Sequence, residues 1–165
     1  MDHNNILAVV LAGGKSKRFG DDKTQAQLGG KILIDYILSE IVNKFNEVLI
    51  VANDPIKHLS SDKIVTIEDF KKNLGPLGGI LSAMKWVKKH NKHYQWIASF
   101  PSDTPLFKIS MFEDFLKKVN EKESELFFMK TKEKRHNIFG LWNIDLIDHR
   151  CGGPAQRSNL PRAGD

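Results

Sequence analysis

The apolar run Ile6-Leu-Ala-Val-Val-Leu11 is short, unbroken and flanked by polar sequence. A run of that kind reads as a fully buried strand. Gly13 and Gly14 remove the side chains where the strand ends, and Lys15, Lys17, Arg18 and Lys23 follow at once. Glycines let a backbone approach an anion closely, and cations neutralise it, which is the chemistry of a polyphosphate cradle. A plain strand-to-helix turn edged by surface lysines would use the same residue types. The stretch is not a Walker A loop, because no Gly-Lys-Ser/Thr closes it, and it lacks Gly-x-Gly-x-x-Gly.

The rest of the chain alternates strands and helices. Thr24 to Lys31 is a polar loop closed by Gly29-Gly30. From Ile32 to Phe45, apolar residues at Ile34, Ile37, Leu38, Ile41, Val42 and Phe45 keep helical spacing. Glu47–Ala52, Lys63–Ile67 and Tyr94–Phe100 read as further strands, with helices over about Ile80–His90 and Ser110–Val119. Pro55 can open a short helix. Leu126–Met129 and Ile138–Trp142 look like later strands. Such alternation predicts an α/β fold, one domain over residues 1–150, with a mostly parallel sheet and right-handed crossovers.

In sheets of this type ligands bind beyond the carboxyl ends of the strands. Four polar clusters fall there: Leu11–Lys23, Asn53, Asp69 and Asp103. Asp103 sits in Pro101-Ser-Asp-Thr-Pro105, where its carboxylate is a hard oxygen ligand suited to Mg²⁺, or the Asx residue of a strand-ending turn. Asn53 and Asp69 either terminate strands or hydrogen-bond a base or ribose. Gly75-Pro-Leu-Gly-Gly79 either starts a helix or lets backbone approach a ligand. His136 and Asn137 are placed to line the far side of the cleft, although a lone histidine is more often structural. Trp86 and Trp142 sit in apolar patterns and read as core.

Composition excludes several classes. The net charge of +5 is spread over helices and loops and is not interleaved with aromatics, so a nucleic-acid partner is not expected. No apolar stretch approaches the ~20 residues of a membrane span. The polar start Met1–Asn5 and the short run after it do not form a signal peptide. One cysteine, Cys151, rules out an internal disulfide and suits a reducing, cytoplasmic setting. Residues 151–165 are rich in glycine and proline and read as a disordered tail or as sequence foreign to the domain.

Leu11-Ala-Gly-Gly-Lys-Ser-Lys-Arg-Phe-Gly-Asp-Asp-Lys23 resembles the signature L-A-G-G-x-S-x-R-x-G-x-D-K of small nucleotidyltransferases. Within them the chain is similar to the molybdenum cofactor guanylyltransferases, the MobA-like group. Gly29-Gly-Lys31, Val51-Ala-Asn53, Ile67-Glu-Asp69, Gly75-Pro-Leu-Gly-Gly79, Pro101-Ser-Asp-Thr-Pro105 and His136-Asn-Ile-Phe-Gly-Leu-Trp142 follow in that group's order. The resemblance implies a three-layer sandwich with a Rossmann-like nucleotidyltransferase sheet. It implies transfer of GMP from MgGTP to molybdopterin or Mo-molybdopterin, with a molybdopterin-donor protein and apo-molybdoenzymes as possible partners. Leu11, Ala12 and Gly13 would meet the nucleotide through their backbone, with Gly14 and Gly78 in the same nucleotide-binding set. Lys23 would neutralise the triphosphate, Asn53 and Asp69 would contact the nucleoside, Asp103 would hold Mg²⁺, and Arg18 would stabilise charge during transfer.

The group's pattern continues past residue 145 with a helix, a strand and an Asn-x-Asn-Thr-Pro motif on the acceptor side, none of which residues 151–165 carry. The expectation is a full nucleotide half beside an incomplete acceptor half. Two other readings stay open: a related transferase that uses CTP or another phosphorylated acceptor, and a GTP-binding protein without catalysis.

Overall fold

The central strand of the sheet, β1 (Ile6–Leu11), pairs in parallel with β4 (Val48–Ala52) on one side and β6 (Trp96–Pro101) on the other. This computed structural model describes residues 2–12, 26–54, 56–58, 60–70, 74–120, 122–132 and 135–149. β5 (Ile64–Glu68) extends the parallel set beyond β4. On the other side β8 (Arg135–Asn143) runs antiparallel to β6, and β7 (Leu126–Lys130) antiparallel to β8. The order is β5-β4-β1-β6-β8-β7, a six-stranded, mostly parallel sheet as expected.

Ile6 to Val10 are fully buried because both faces of β1 are covered. Ile6, Ala8 and Val10 meet α1 (Leu33–Ile41) and α3 (Ile109–Val119) through Ile34, Ile37, Leu38, Phe112 and Leu116. Leu7 and Val9 meet α2 (Pro76–Lys89) through Ile80, Ala83, Met84 and Val87. Alternate residues of one strand thus serve two helical layers, which gives the three-layer sandwich.

Element boundaries differ from the sequence expectation chiefly at α1, α2, the Gly29-Gly30 loop and β8, which starts at Arg135 and not at Ile138. α1 stops at Ile41, where Lys44 and Phe45 N–H groups both turn back to the Ile41 carbonyl. Phe45 still reaches the core, edge-on to Phe100 and tilted against Phe112, so its apolar spacing reflected burial and not helix. α2 starts four residues before the expected Ile80, because Pro76 occupies its first position, where a missing N–H costs nothing. Gly75 precedes it at φ 62°, ψ −153°, a conformation open to glycine alone. The loop around Gly29-Gly30 is a hairpin of β2 (Gln27–Leu28) and β3 (Lys31–Ile32), its two glycines at φ 57° and 80° as a two-residue turn requires. A short 3-10 turn (His3–Asn5) and a four-residue helix, α4 (Leu146–His149), complete the elements. Pro55 and residues 151–165 lie outside the described residues.

Tyr94, just before β6, donates its hydroxyl to Glu47 Oε2 at 3.2 Å, and burial followed by that carboxylate pushes it up to about 12. It stands at the amino ends of the strands, away from the candidate site. No helix among the described residues is long and apolar enough to cross a membrane.

Candidate functional site

Parallel pairing aligns the strand ends. Leu11 is in register with Val51 and with Pro101, and Val51 with Ile67. The ladder runs one step further, as Ala12 N–H donates to the Val51 carbonyl (2.9 Å) and Ser102 N–H to the Leu11 carbonyl (3.3 Å). Asn53, Asp69 and Asp103 each follow by two positions a residue of that aligned row. Three of the predicted polar positions therefore stand along one carboxyl edge, with Leu11 and Ala12 at its centre.

Asp69 is held by α2. Ser82 Oγ, buried on the second turn, lies 3.0 Å from Asp69 Oδ1, accepts the Phe70 N–H at 2.8 Å and lies 2.9 Å from the Gly78 carbonyl. A Cβ on Gly78 would come within 3.1 Å of Asp69 Oδ2 and 3.2 Å of Oδ1, so glycine lets the carboxylate settle on the first turn without displacement. There the positive end of the helix dipole favours a negative charge. Gly79 serves the same close approach: a Cβ there would sit 2.7 Å from Leu11 Cδ2. The Gly-rich stretch is thus a helix start, and its glycines also bring α2 against Leu11 and Asp69.

Asn53 is half-buried, and its Oδ1 is buried with no hydrogen-bond partner among the described residues. A buried acceptor left unpaired costs about 1–3 kcal/mol, so its geometry suits a ligand donor. Asp103 is exposed on the turn after β6, which Thr104 closes by donating its hydroxyl to the Pro101 carbonyl at 3.1 Å. Among the described residues no three His, Cys, Asp or Glu side chains gather to cage a metal. A lone carboxylate fits Mg²⁺, which keeps waters and phosphate oxygens as its other ligands. Gly13, Gly14, Arg18 and Lys23 lie outside the described residues.

A cleft of about 360 Å³ opens on the far side of β1, between α2 and the β7–β8 hairpin. Leu11, Leu77, Ile80, Phe128, Ile138 and Trp142 line it with Arg135 and Asn137. Asn137 was expected there; His136 instead packs edge-on to Phe139, with centroids 6.3 Å apart. Trp142 is core as expected, yet it also forms a wall of the cleft. Arg135 and Phe128 were missed. Their one sequence signal was nearness to His136–Asn137 and the strand before it. The cleft owes its shape to a bulge: Phe128 pairs with Gly140 but Met129 with His136, leaving residues 137–139 of β8 without a partner on β7. Ser99 of β6 pins that bulge, donating to the Ile138 carbonyl and accepting from Trp142 Nε1 at 2.8 Å.

The sequence matches the profile of the MobA-like NTP transferase domain over residues 8–156. It is 27% identical over 148 residues to the molybdenum cofactor guanylyltransferase of Rhizobium rhizogenes (strain K84), covering 89% of this chain and 68% of that one. Among solved structures, a protein of Aquifex aeolicus VF5 superposes with a TM-score of 0.65 at 27% identity, over 90% of this chain and 75% of that one. Molybdopterin-guanine dinucleotide biosynthesis protein A of Archaeoglobus fulgidus shares the fold, with a TM-score of 0.63 at 20% identity, over 86% and 69% of the two chains. The profile runs from within β1 past the end of β8, and the chain belongs to the MobA-like NTP transferase family.

Proposed function

We propose that this protein transfers GMP from MgGTP to the terminal phosphate of molybdopterin or Mo-molybdopterin, releasing pyrophosphate and a guanine dinucleotide cofactor. The observation that carries the reading is the shared edge of Asn53, Asp69 and Asp103 in a chain of this family. The backbone of Leu11 and Ala12, with Gly13 and Gly14, would meet the nucleotide. Asp69 and the Asn53 carbonyl oxygen are acceptors and suit the N–H and O–H groups of a nucleoside.

An acceptor phosphate oxygen, already ionised at neutral pH, attacks the α-phosphorus in line. The new P–O bond forms as the bond to the β-phosphate oxygen breaks, and pyrophosphate leaves with that electron pair. No general base is needed, so the chain's task is to orient the two phosphates and neutralise charge. Asp103 would hold Mg²⁺, which when bound offsets charge on the phosphates and on the leaving group. Arg18 and Lys23 would add fixed cations. A cytoplasmic setting suits a GTP-dependent reaction, and a molybdopterin-donor protein and apo-molybdoenzymes are the partners such a product would serve.

The test is pyrophosphate release from MgGTP with molybdopterin, run beside MgCTP. Release with GTP and not CTP supports the reading. Release only with CTP assigns another nucleotide, and GTP binding without release marks a non-catalytic binder.

A further inference from the structure

We infer that β7 pairs along its outer edge with β7 of a second copy of this chain, antiparallel about a two-fold axis at Phe128, so that two copies share one continuous sheet. β7 is the last strand of the sheet, hydrogen-bonded to β8 on one side and to no strand among the described residues on the other. An edge of that kind offers a row of backbone donors and acceptors. The ladder shows which residues supply the row. The Asn143 N–H donates to the Glu125 carbonyl at 2.9 Å, so Glu125 turns its backbone toward β8. The Phe127 carbonyl turns the same way, lying 2.7 Å from where a Cβ on Gly140 would stand. By alternation Leu126, Phe128 and Lys130 turn their N–H and C=O groups outward. The bulge residues 137–139 belong to β8, so β7 keeps that alternation along its length. At Leu126 the hydroxyl of Ser124 stands in for a strand, 3.4 Å from the N–H and donating to the carbonyl at 3.1 Å.

A two-fold axis perpendicular to the sheet pairs only residues of equal parity, because directly opposed side chains share a face. The outward residues all have even numbers and meet that condition. Centred at Phe128, the strand Leu126–Lys130 meets its counterpart over its full length. Phe128 then opposes Phe128, Leu126 opposes Lys130, and Phe127 opposes Met129.

Side chains and charge select a second copy as the occupant. Leu126 and Phe128 pack against the α2 layer, Phe127 and Met129 against the α1–α3 layer, and all four are only half-buried. Both faces of β7 therefore bring apolar surface to the edge, and pairing sets aromatic and aliphatic side chains across the junction. Glu123 and Glu125 stand exposed at the amino end of the strand, Lys130 and Lys132 at its carboxyl end. Antiparallel self-pairing lays the acidic end of each copy along the basic end of the other, whereas parallel pairing would set like charges together. At the opposite edge of the sheet β5 exposes Thr66 and Glu68 on one face, a polar surface that needs no cover. The β7 contact is isologous and closes at two copies.

Sedimentation of the wild-type chain over about a 100-fold range of concentration tests the pairing, with amide exchange read by NMR. The expected result is a monomer–dimer equilibrium in which the Phe128 and Lys130 N–H groups exchange more slowly as the dimer forms. Lys130→Glu combined with Lys132→Glu should weaken the dimer about 10–100-fold, since each change counts twice across the axis. Adding Glu123→Lys and Glu125→Lys should restore it, which a defect in folding would not do. Circular dichroism checks the fold of each variant, and all four positions are exposed. A monomer at every concentration overturns the pairing. So does a monomer whose Phe128 and Lys130 amides are already protected, because another segment of this chain then holds the edge. A dimer that leaves those amides unchanged, or that ignores the charge reversals, places the contact on another face and overturns it as well.

Discussion

Ser82 and Asp69 lie 13 residues apart and meet at 3.0 Å, and through that contact helix α2 sets the position of a carboxylate on the sheet edge. The same hydroxyl accepts the Phe70 N–H, so one buried side chain fixes both the acid and the backbone that follows it. Ser82→Ala removes both contacts and leaves a backbone N–H without its partner. Stability should fall by about 1–2 kcal/mol, read by urea unfolding, and MgGTP affinity should drop several-fold. Wild-type MgGTP affinity in a folded Ser82→Ala protein would show that Asp69 does not touch the nucleotide.

Gly78→Ala separates binding from stability. The added methyl meets the Asp69 carboxylate and Leu74 Cβ at 3.1–3.2 Å, tight enough to push the acid away by a few tenths of an ångström. Against that strain, alanine gains up to about 1 kcal/mol of helix propensity. The expected result is a melting temperature close to wild type with weakened MgGTP binding.

Glu40 of α1 caps α3 from outside. Its carboxylate accepts from Lys108 Nζ at 2.8 Å and from the Ile109 N–H at 3.0 Å, while Lys108 itself supplies no side-chain cap. The Lys108 hydrogen bond, then that of Ile109, holds its carboxyl below the ordinary 4.5. A depressed acid stabilises the fold above its unfolded value, and that contribution disappears as pH falls through the folded value. Glu40→Ala should therefore cost about 1 kcal/mol at pH 7, and the gap to wild type should close as the acid limit is approached. A gap independent of pH would contradict the cap.

Asp103→Asn and Lys23→Ala address charge in the reaction. Each should slow pyrophosphate release by about 10²–10³ without preventing folding. For Asp103→Asn the dependence on added Mg²⁺ should shift to higher concentration. Unchanged turnover in either variant would sink that residue's assignment.

The strands and helices were legible because their signals are local. Ile6–Leu11 is uniformly apolar and became the doubly covered β1, and Ile34, Ile37, Leu38 and Ile41 kept helical spacing and became the buried face of α1. Strand ends were legible too, so Asn53, Asp69 and Asp103 could be named in advance as neighbours on one edge. Phe45 shows the limit of such signals, since burial placed an apolar residue in phase after its helix had ended.

Contacts between distant segments carried no local mark. Nothing in the spacing of Gly78 and Gly79 says which atoms crowd them; Asp69 and Leu11 do, and only because α2 packs back across β4 and β1. The bulge of β8 depends on its pairing with β7 and on Ser99 from β6, so the Arg135–Phe128–Asn137 arrangement had no signature in any one segment. Periodicity along the chain was enough to specify the elements and the edge where chemistry gathers. Which side chains meet across that edge followed from the packing of segments far apart in sequence, where close approach arises and where Asn53 Oδ1 is left without a partner among the described residues.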